Sequence, residues 1–491
     1  MENSKVCVIG AGIGGLSVAI RLAATGHSVE VYEANEYPGG KLTEIQVDDF
    51  RFDAGPSLFT MPSYIEDLFS LAKKNIKDYF EYERLDVICH YFWEDGTRLK
   101  AYADAKDFAT EVEKILGVPA AEITDTLAAS AEKYHLTGTT FLEKSLHKAG
   151  TWFSAEVARS LTQIPMLTGA VFQSMHQDNE RRLSHPKLVQ LFDRFATYNG
   201  SNPYKAPGML NIIPHFEHNI GAFFPKGGMH QITQALYQLA MDLGVEFYFN
   251  QKVDKIQVVE KKAVGIRTNN QEIAYDKVIS NMDVFPTYKK LLADQSQPHR
   301  TLSQPRSTSA LIFYWGIKKE FKELGLHNIL FSKNYQKEFA ALEANQIDGD
   351  PTIYINISKK RVTTDAPKGC ENWFTMINVP ANKGQDWESL IAQAREHIIE
   401  KINRTLHLNL KELIVCESIL DPQSIESKTA SYQGALYGTN SNNIFAAFLR
   451  HPNFTNKIKN LYFCGGSVHP GGGIPLCLLS GKIVSELIQQ S

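Results

Sequence analysis

The chain opens on a short apolar run, Val6, Val8 and Ile9, of the kind that fills a buried parallel strand and stops at glycine. Gly10, Gly12 and Gly15 then fit G-x-G-x-x-G, and Leu16, Ala19, Ile20 and Ala23 recur at helical spacing until Gly26 ends the run. Residues 28–32 read as a second strand leading into Glu33. Strand, glycine turn, helix, strand and acid in that order predict a dinucleotide site. Gly10 makes the tight turn, Gly12 admits a pyrophosphate, Gly15 lets helix and strand pack closely, and Glu33 accepts from ribose hydroxyls.

Further along, residues 61–73 predict a helix led by Pro62 and Ser63, and 78–104 predict strands with a turn at Glu94-Asp95-Gly96. From 105 to 195 the pattern is helical and free of repeats. Phe153, Val157, Leu161 and Ile164 mark one face there, broken at Pro165 and followed by apolar 166–172. That stripe has two readings: core helices of a substrate domain, or a surface that dips into a bilayer with Trp152 and Phe153 at the interface. A loop at 199–208 and the stretch 221–228 lead into a helix carrying Ile232, Leu236, Leu239 and Leu243. Strands are then expected at 245–249, 253–258, 263–267 and 271–279, which would bring the chain back to its first parallel sheet.

Residues 285–450 read as a second excursion, with strands at 310–315 and 352–356 and a long helix near 386–405. Lys359, Lys360 and Arg361 form a basic run, a solvated turn or a contact for anionic lipid. The last pass repeats the opening: strand 461–464, glycine turn 465–475, then a helix with Leu476, Leu479, Ile483 and Leu487 on one face. Pro475 suits the first helical position.

Composition changes this picture little. A chain of 491 residues can bury more than one core, so two or three structural units are expected. A net charge of −3 argues against a nucleic-acid binder. The six cysteines (7, 89, 370, 416, 464 and 477) show no C-x-x-C and no metal spacing, which fits a reducing cytoplasm; Cys7 and Cys464 read as core thiols. No basic region followed by a long apolar one marks a leader, and the uncharged span 460–481 is broken by glycines and prolines. Any membrane contact is therefore expected to be peripheral.

The acid Glu33 is followed by Pro38-Gly39-Gly40-Lys41 and then by Phe52-Asp53-Ala54-Gly55-Pro56-Ser57. With Phe224-Pro225-Lys226-Gly227-Gly228 and His469-Pro470-Gly471-Gly472-Gly473-Ile474-Pro475, this pattern resembles the phytoene-desaturase-type carotenoid desaturases of the amine-oxidase-like flavoproteins. The resemblance covers essentially the whole length. Within the group, 194–207 and 211–219 look most like the bacterial 1-hydroxycarotenoid 3,4-desaturases. The resemblance implies an α/β fold: a Rossmann-like FAD-binding domain from 1–70, 220–285 and 455–491, and an α+β substrate domain from 71–219 and 286–454, with 105–195 mostly helical and able to associate with a membrane.

FAD is thereby preferred over NAD. The resemblance assigns it Gly10, Gly12, Gly14, Gly15, Glu33, Ala34, Gly40, Lys41, Gly55, Pro56, Ser57, Val253, Asn281, Gly466, Ser467, Gly473, Ile474 and Pro475. Lys41 would lie near the pyrophosphate and ribityl chain, Gly55-Pro56 near the flavin, and the Val253 backbone at the adenine. Lysine at 41 keeps the charge of the family's alternative arginine without its planar fork. The helix opening at Pro475 would favour the negative charge of a reduced flavin.

The implied substrate is a long acyclic carotenoid, 1-hydroxylated and desaturated at the 3,4 bond, held in an apolar tunnel. Phe223 and Phe224 are candidates to line it near the flavin, and Glu217, His215 and His218 to hold a terminal hydroxyl. His215 and His218 have no third ligand spaced for a metal, and His469 reads as structural. No catalytic residue is named, because the cofactor carries the redox step. The electron acceptor would be oxygen or a quinone, and the protein would sit in the cytoplasm, on the inner membrane. Other uses of the scaffold stay open: another carotene desaturase such as a phytoene desaturase, an amine or amino-acid oxidase, or a prenyl-lipid chaperone like the Rab GDP-dissociation inhibitor.

Overall fold

The computed structural model describes residues 3–153, 172–443 and 445–490. Its organising layer is a five-stranded parallel sheet in the order Glu246–Tyr248, Ser28–Tyr32, Lys5–Ile9, Lys277–Ser280, Leu461–Phe463. The central strand shows why its run is continuously apolar. Val6 and Val8 face one side, against the helices Ile13–Ala24, His230–Asp242 and Ile474–Gln489. Cys7 and Ile9 face the other, against Ile256 and Ile266 of an antiparallel meander, Val253–Val259, Lys262–Thr268 and Gln271–Ala274. A strand buried on both faces has no polar positions to alternate. Cys7 and Cys464 are both buried free thiols.

The stretch expected as one strand over 271–279 is two. Gln271–Ala274 closes the meander, and after Tyr275 and Asp276 the strand Lys277–Ser280 joins the parallel sheet. The closing helix begins at Ile474, so Pro475 takes the second helical position, where a missing N–H costs as little as at the first.

A seven-stranded sheet forms the second layer, in the order Ile414–Leu420, Ser309–Ile317, Glu371–Val379, Ile353–Asn356, His327–Leu330, Val87–Phe92, Arg98–Tyr102. Its two faces are both apolar and do different things. Leu311, Phe313, Trp315, Trp373 and Ile377 pack under the helix Trp387–Leu406, against Ala394, Ile398 and Ile402. The alternate residues Ala310, Ile312, Tyr314, Phe374, Met376 and Asn378 line a cavity. A small sheet of Phe59–Thr60, Ala222–Pro225 and Tyr82–Arg84 joins segments far apart in sequence.

The region from 105 is helical as expected. Asp104 caps Ala105–Leu116 by accepting from the backbone N–H groups of Lys106 and Asp107, and Gly117 ends it in the left-handed conformation. Ala120–Glu143, Ala149–Trp152, Met175–Arg182 and Pro186–Asp193 follow. Val157, Leu161, Ile164 and Pro165 of the proposed stripe lie outside the described residues, as does most of 166–172. The basic run at 359–361 is not a free turn. Lys360 pairs with the buried Glu371 at 2.6 Å, Arg361 with Glu83 at 3.3 Å, and Lys359 donates to the Ala366 carbonyl at 2.5 Å. Among the described residues no helix is long and apolar enough to cross a membrane.

Candidate active site

Two glycine turns, each opening a helix, meet at one place. The first runs Gly10–Gly12 into Ile13–Ala24; the second runs Gly465–Gly473 into Ile474–Gln489. Both follow strands of the parallel sheet, so both helix N-termini emerge at the same edge. The helices cross closely because Gly481 sits on Ser17: a methyl on Gly481 would lie 2.6 Å from Ser17 Oγ. Ser17 Oγ in turn donates to the Leu478 carbonyl at 2.9 Å.

Asn281, from the end of the intervening strand, is wedged between the turns. A methyl on Gly12 would stand 2.7 Å from Asn281 Nδ2. One on Gly14 would stand 2.7 Å from Asn281 Oδ1 and 3.0 Å from the Gly465 Cα and N. Gly15 is closed by its own turn, where a methyl would lie 2.1 Å from the Gly10 carbonyl oxygen. Gly39 donates to the Ala11 carbonyl at 2.8 Å, so the Gly39-Gly40 turn folds over the first.

These turns wall one part of a continuous cavity of about 1600 Å³. Gly12, Gly14, Ala34, Gly40, Lys41, Gly55, Pro56, Ser57, Asn281, Gly466, Ser467, Gly473, Ile474 and Pro475 all line it, and Glu217 faces it from another wall. Ligand pockets commonly hold roughly 300–1,000 Å³, so there is room for more than one small molecule. The remainder is walled by Met61, Phe141, Leu142, Leu210, Ile213, Phe216, Ile329 and Tyr335 among others, and by the second face of the large sheet.

The remaining expected residues do not face the cavity. Gly10 and Gly15 serve the packing of the turn, with Gly10 at φ +98°. Glu33 is buried, accepting from Ala11 N–H at 2.8 Å on one oxygen and from Asn35 N–H at 2.9 Å on the other, which leaves lone pairs for further donors. Val253 is buried at the start of the meander, while Asn250 lines the cavity. Phe223 and Phe224 depart from expectation. Ala222–Pro225 is the middle strand of its sheet and is covered on both faces. Phe224 is in the core, and Phe223 packs edge-on against Phe59 and Tyr82. His218 also points away: it stacks on Phe108 at 4.9 Å, across the helical turn His215–Ile220 from Glu217. His215 stacks on Tyr134 and meets Asn219 Nδ2 at 3.0 Å.

Lys41 Nζ donates to the Leu436 carbonyl at 2.9 Å, and burial lowers its pKa. Arg450, on the same cavity, is lowered to about 10 by burial and by the nearby Arg306. A wall that combines a half-buried and a buried cation, two helix N-termini and glycine approaches fits a pyrophosphate-bearing ligand.

Four groups were not legible as site residues. Arg194 is buried and donates to Tyr198 Oη at 2.8 Å, Tyr91 Oη at 2.6 Å and Glu217 Oε1 at 3.3 Å. Tyr198 donates to Glu217 Oε2 at 2.6 Å. Close enough to feel the charge of Arg194, His327 and Tyr354 are linked at 2.7 Å. They come from separate strands, and no local motif announces them.

Buried imidazoles make the fold sensitive to acid. Burial holds His218 and His451 at about 4 and His327 and His469 at about 3. His469 Nε2 meets the Lys144 carbonyl at 2.8 Å, a structural placement. The unfolded chain protonates such rings from about pH 6.5 downward, so it binds more protons in this window and stability falls with pH, by at most ~1.4 kcal/mol per unit per ring. The melting temperature is expected to fall between pH 7 and pH 5, and less steeply in His218→Gln. Equal slopes in the two proteins would exclude His218 from the effect.

The family model "Flavin containing amine oxidoreductase" matches residues 13–489. The chain belongs to this family. It is an FAD-dependent oxidoreductase. It is 51% identical, over 99% of each chain, to a 1-hydroxycarotenoid 3,4-desaturase of Flavobacterium sp. (strain P99-3). It is 34% identical to a 4,4'-diapolycopene oxygenase of Methylomonas sp, over 99% of this chain and 98% of the other. Among solved structures, this flavoprotein shares its fold with an oxidoreductase from Methanosarcina mazei (TM-score 0.62, 16% identity, 99% and 100% covered). Cyclohexylamine oxidase from Brevibacterium oxydans IH-35A aligns as well (TM-score 0.62, 13% identity, 100% and 99% covered).

Proposed function

We propose that this flavoprotein desaturates an acyclic, 1-hydroxylated carotenoid at its 3,4 bond, within carotenoid biosynthesis. The observation that carries this reading is the 51% identity, over 99% of both chains, to a protein of that description. The cavity supports it, because one continuous space joins the glycine turns to long apolar walls.

In this reading residues 1–70, 220–285 and 455–491 hold the cofactor, and 71–219 and 286–454 the substrate. The Gly12–Gly14 turn and its helix receive the pyrophosphate, Glu33 and Ala34 the adenosine ribose, and the Val253 segment the adenine. Gly40, Lys41, Gly55, Pro56, Ser57, Asn281, Gly466, Ser467, Gly473, Ile474 and Pro475 surround the rest. Bound there, FAD supplies the acceptor for two electrons and a hydrogen from the substrate. The chain's own part is to align the polyene, exclude water and take the proton. Glu217, held by Arg194 and Tyr198, is placed to accept from a terminal hydroxyl. Phe153 and Phe172, 87% and 75% exposed, suit a peripheral contact with the membrane that dissolves the substrate. Quinone in that membrane, or oxygen, then takes the electrons.

The test is expression in cells that make hydroxylated or plain acyclic carotenoids. The expected product lacks two hydrogens, absorbs further to the red and forms preferentially from the hydroxylated substrate, and the enzyme co-sediments with lipid vesicles. Gain of oxygen without a new double bond would assign an oxygenase instead, and peroxide released from amines would assign an amine oxidase.

A further inference from the structure

We propose that Ser57 Oγ is the group that receives the substrate proton, and that Tyr354 and His327 draw it inward. All three residues line the cavity, and Ser57 follows directly on Gly55 and Pro56. Ser57 Oγ lies 2.7 Å from Tyr354 Oη, which lies 2.7 Å from His327 Nδ1. The inference rests on the FAD reading of the cavity and adds to it the proton acceptor that reading leaves unnamed.

The direction of this chain follows from its far end. Asn356 Nδ2 donates to the Leu326 carbonyl at 3.1 Å, which identifies it as the amide nitrogen, and it also lies 3.2 Å from His327 Nδ1. A nitrogen facing an amide donor must accept. His327 is therefore the Nε2–H tautomer, with Nδ1 bare. Tyr354 spends its one proton on Nδ1, so it accepts from Ser57. Every hydrogen in the line points toward His327, and the Ser57 oxygen is left with lone pairs for the cavity. His327 is 3% exposed and, among the described residues, its Nε2 has no hydrogen-bond partner, so the tautomer is set by the contacts at Nδ1. Burial, helped by Arg194, keeps the ring neutral down to about pH 3.

The balance is simple. One C–H bond of the substrate breaks with its electron pair and hydrogen passing to FAD, which is the oxidant. On the adjacent carbon a second C–H bond breaks, its electrons become the new π bond, and its proton forms an O–H bond at Ser57. The proton already on Ser57 moves to Tyr354, and that on Tyr354 moves to His327 Nδ1. A C–H beside a polyene cation is far more acidic than an imidazolium, so a weakly basic imidazole suffices. Proton removal also prevents the hydrogen from returning to the substrate, which is how it governs net turnover.

The test uses Tyr354→Phe and Ser57→Ala in the FAD-loaded enzyme. Tyr354→Phe cuts the line without changing the ring. Expected are an unchanged flavin absorbance, FAD affinity and KM in Tyr354→Phe, and, in each variant with its flavin bound, anaerobic flavin reduction by substrate slowed ~10²-fold or more. The wild type should show a solvent isotope effect that Tyr354→Phe abolishes. Independently of turnover, the ¹⁵N spectrum, assigned with His327→Gln, should show His327 as the Nε2–H tautomer. Normal reduction rates in both variants, or an Nδ1–H tautomer, would overturn the relay; failure to bind FAD in the wild type would instead overturn the reading beneath it.

Discussion

Gly14→Val is expected to give a folded protein that holds its flavin poorly, with FAD affinity down ~5–150-fold by the overpacking cost of ~1–3 kcal/mol falling on the binding turns. Gly14 is in ordinary helical conformation, so the penalty is not backbone strain. It comes from what a side chain meets: Asn281 Oδ1 at 2.7 Å and the Gly465 Cα and N at 3.0 Å for the first carbon alone. The amide of Asn281 can swing, but the Gly465 backbone is pinned, since its N–H donates to Ser480 Oγ at 3.1 Å and Cys464 N–H donates to the Ser280 carbonyl at 3.0 Å. The second turn must therefore move away from the first, and the two helix N-termini lose their common focus. Absorbance per mole of protein and quenching of FAD fluorescence measure the loss, with circular dichroism to check the fold. Gly150→Ala, where nothing lies within 4 Å of the new methyl, is the control and should keep its colour. A fully coloured Gly14→Val would mean that the turns do not share one ligand.

That meeting of turns was half legible before any coordinates. Each strand–glycine–helix unit is local, because a few residues carry both the conformational requirement and the apolar period. Asn281 was placed near the cofactor by resemblance, but its wedge between Gly12, Gly14 and Gly465 depends on which strands are neighbours, and pairing across hundreds of residues leaves no local mark. The Phe223-Phe224 doublet shows the opposite failure. Two adjacent large aromatic residues were both candidates to line a tunnel, yet the middle strand buries Phe224 in the core and holds the half-buried Phe223 edge-on against Phe59 and Tyr82. Glu217 and His218 were grouped because they are adjacent, and the turn that contains them sends them to different surroundings. His327 and Tyr354 come together through the strand order Ile353–Asn356 beside His327–Leu330, and Ser57 reaches them from a distant loop, neither of which composition and period encode.

Glu217 carries the second large effect, and separating its two jobs is what makes the test decisive. Among the described residues its carboxylate is the one that pairs with the buried Arg194 guanidinium, which is otherwise held by tyrosine hydroxyls and the rings of Tyr91, Phe195 and Tyr198. Glu217→Gln keeps the shape and leaves that cation unpaired, at an expected cost of ~3–5 kcal/mol in unfolding free energy by urea titration. Arg194→Met with Glu217→Gln removes both charges and is expected to recover most of the loss, because a buried pair is worth little net against apolar packing. Recognition should not recover with it. A hydroxyl donating to a buried carboxylate contributes about 1.5–3 kcal/mol, so the double variant should lose ~10–100-fold in kcat/KM on the hydroxylated carotenoid and almost nothing on the plain one. Stability restored with substrate preference lost would identify Glu217 as the hydroxyl anchor. Equal losses on the two carotenoids would leave it a structural partner of Arg194 alone, and the preference for a hydroxylated substrate would have to arise elsewhere along the tunnel.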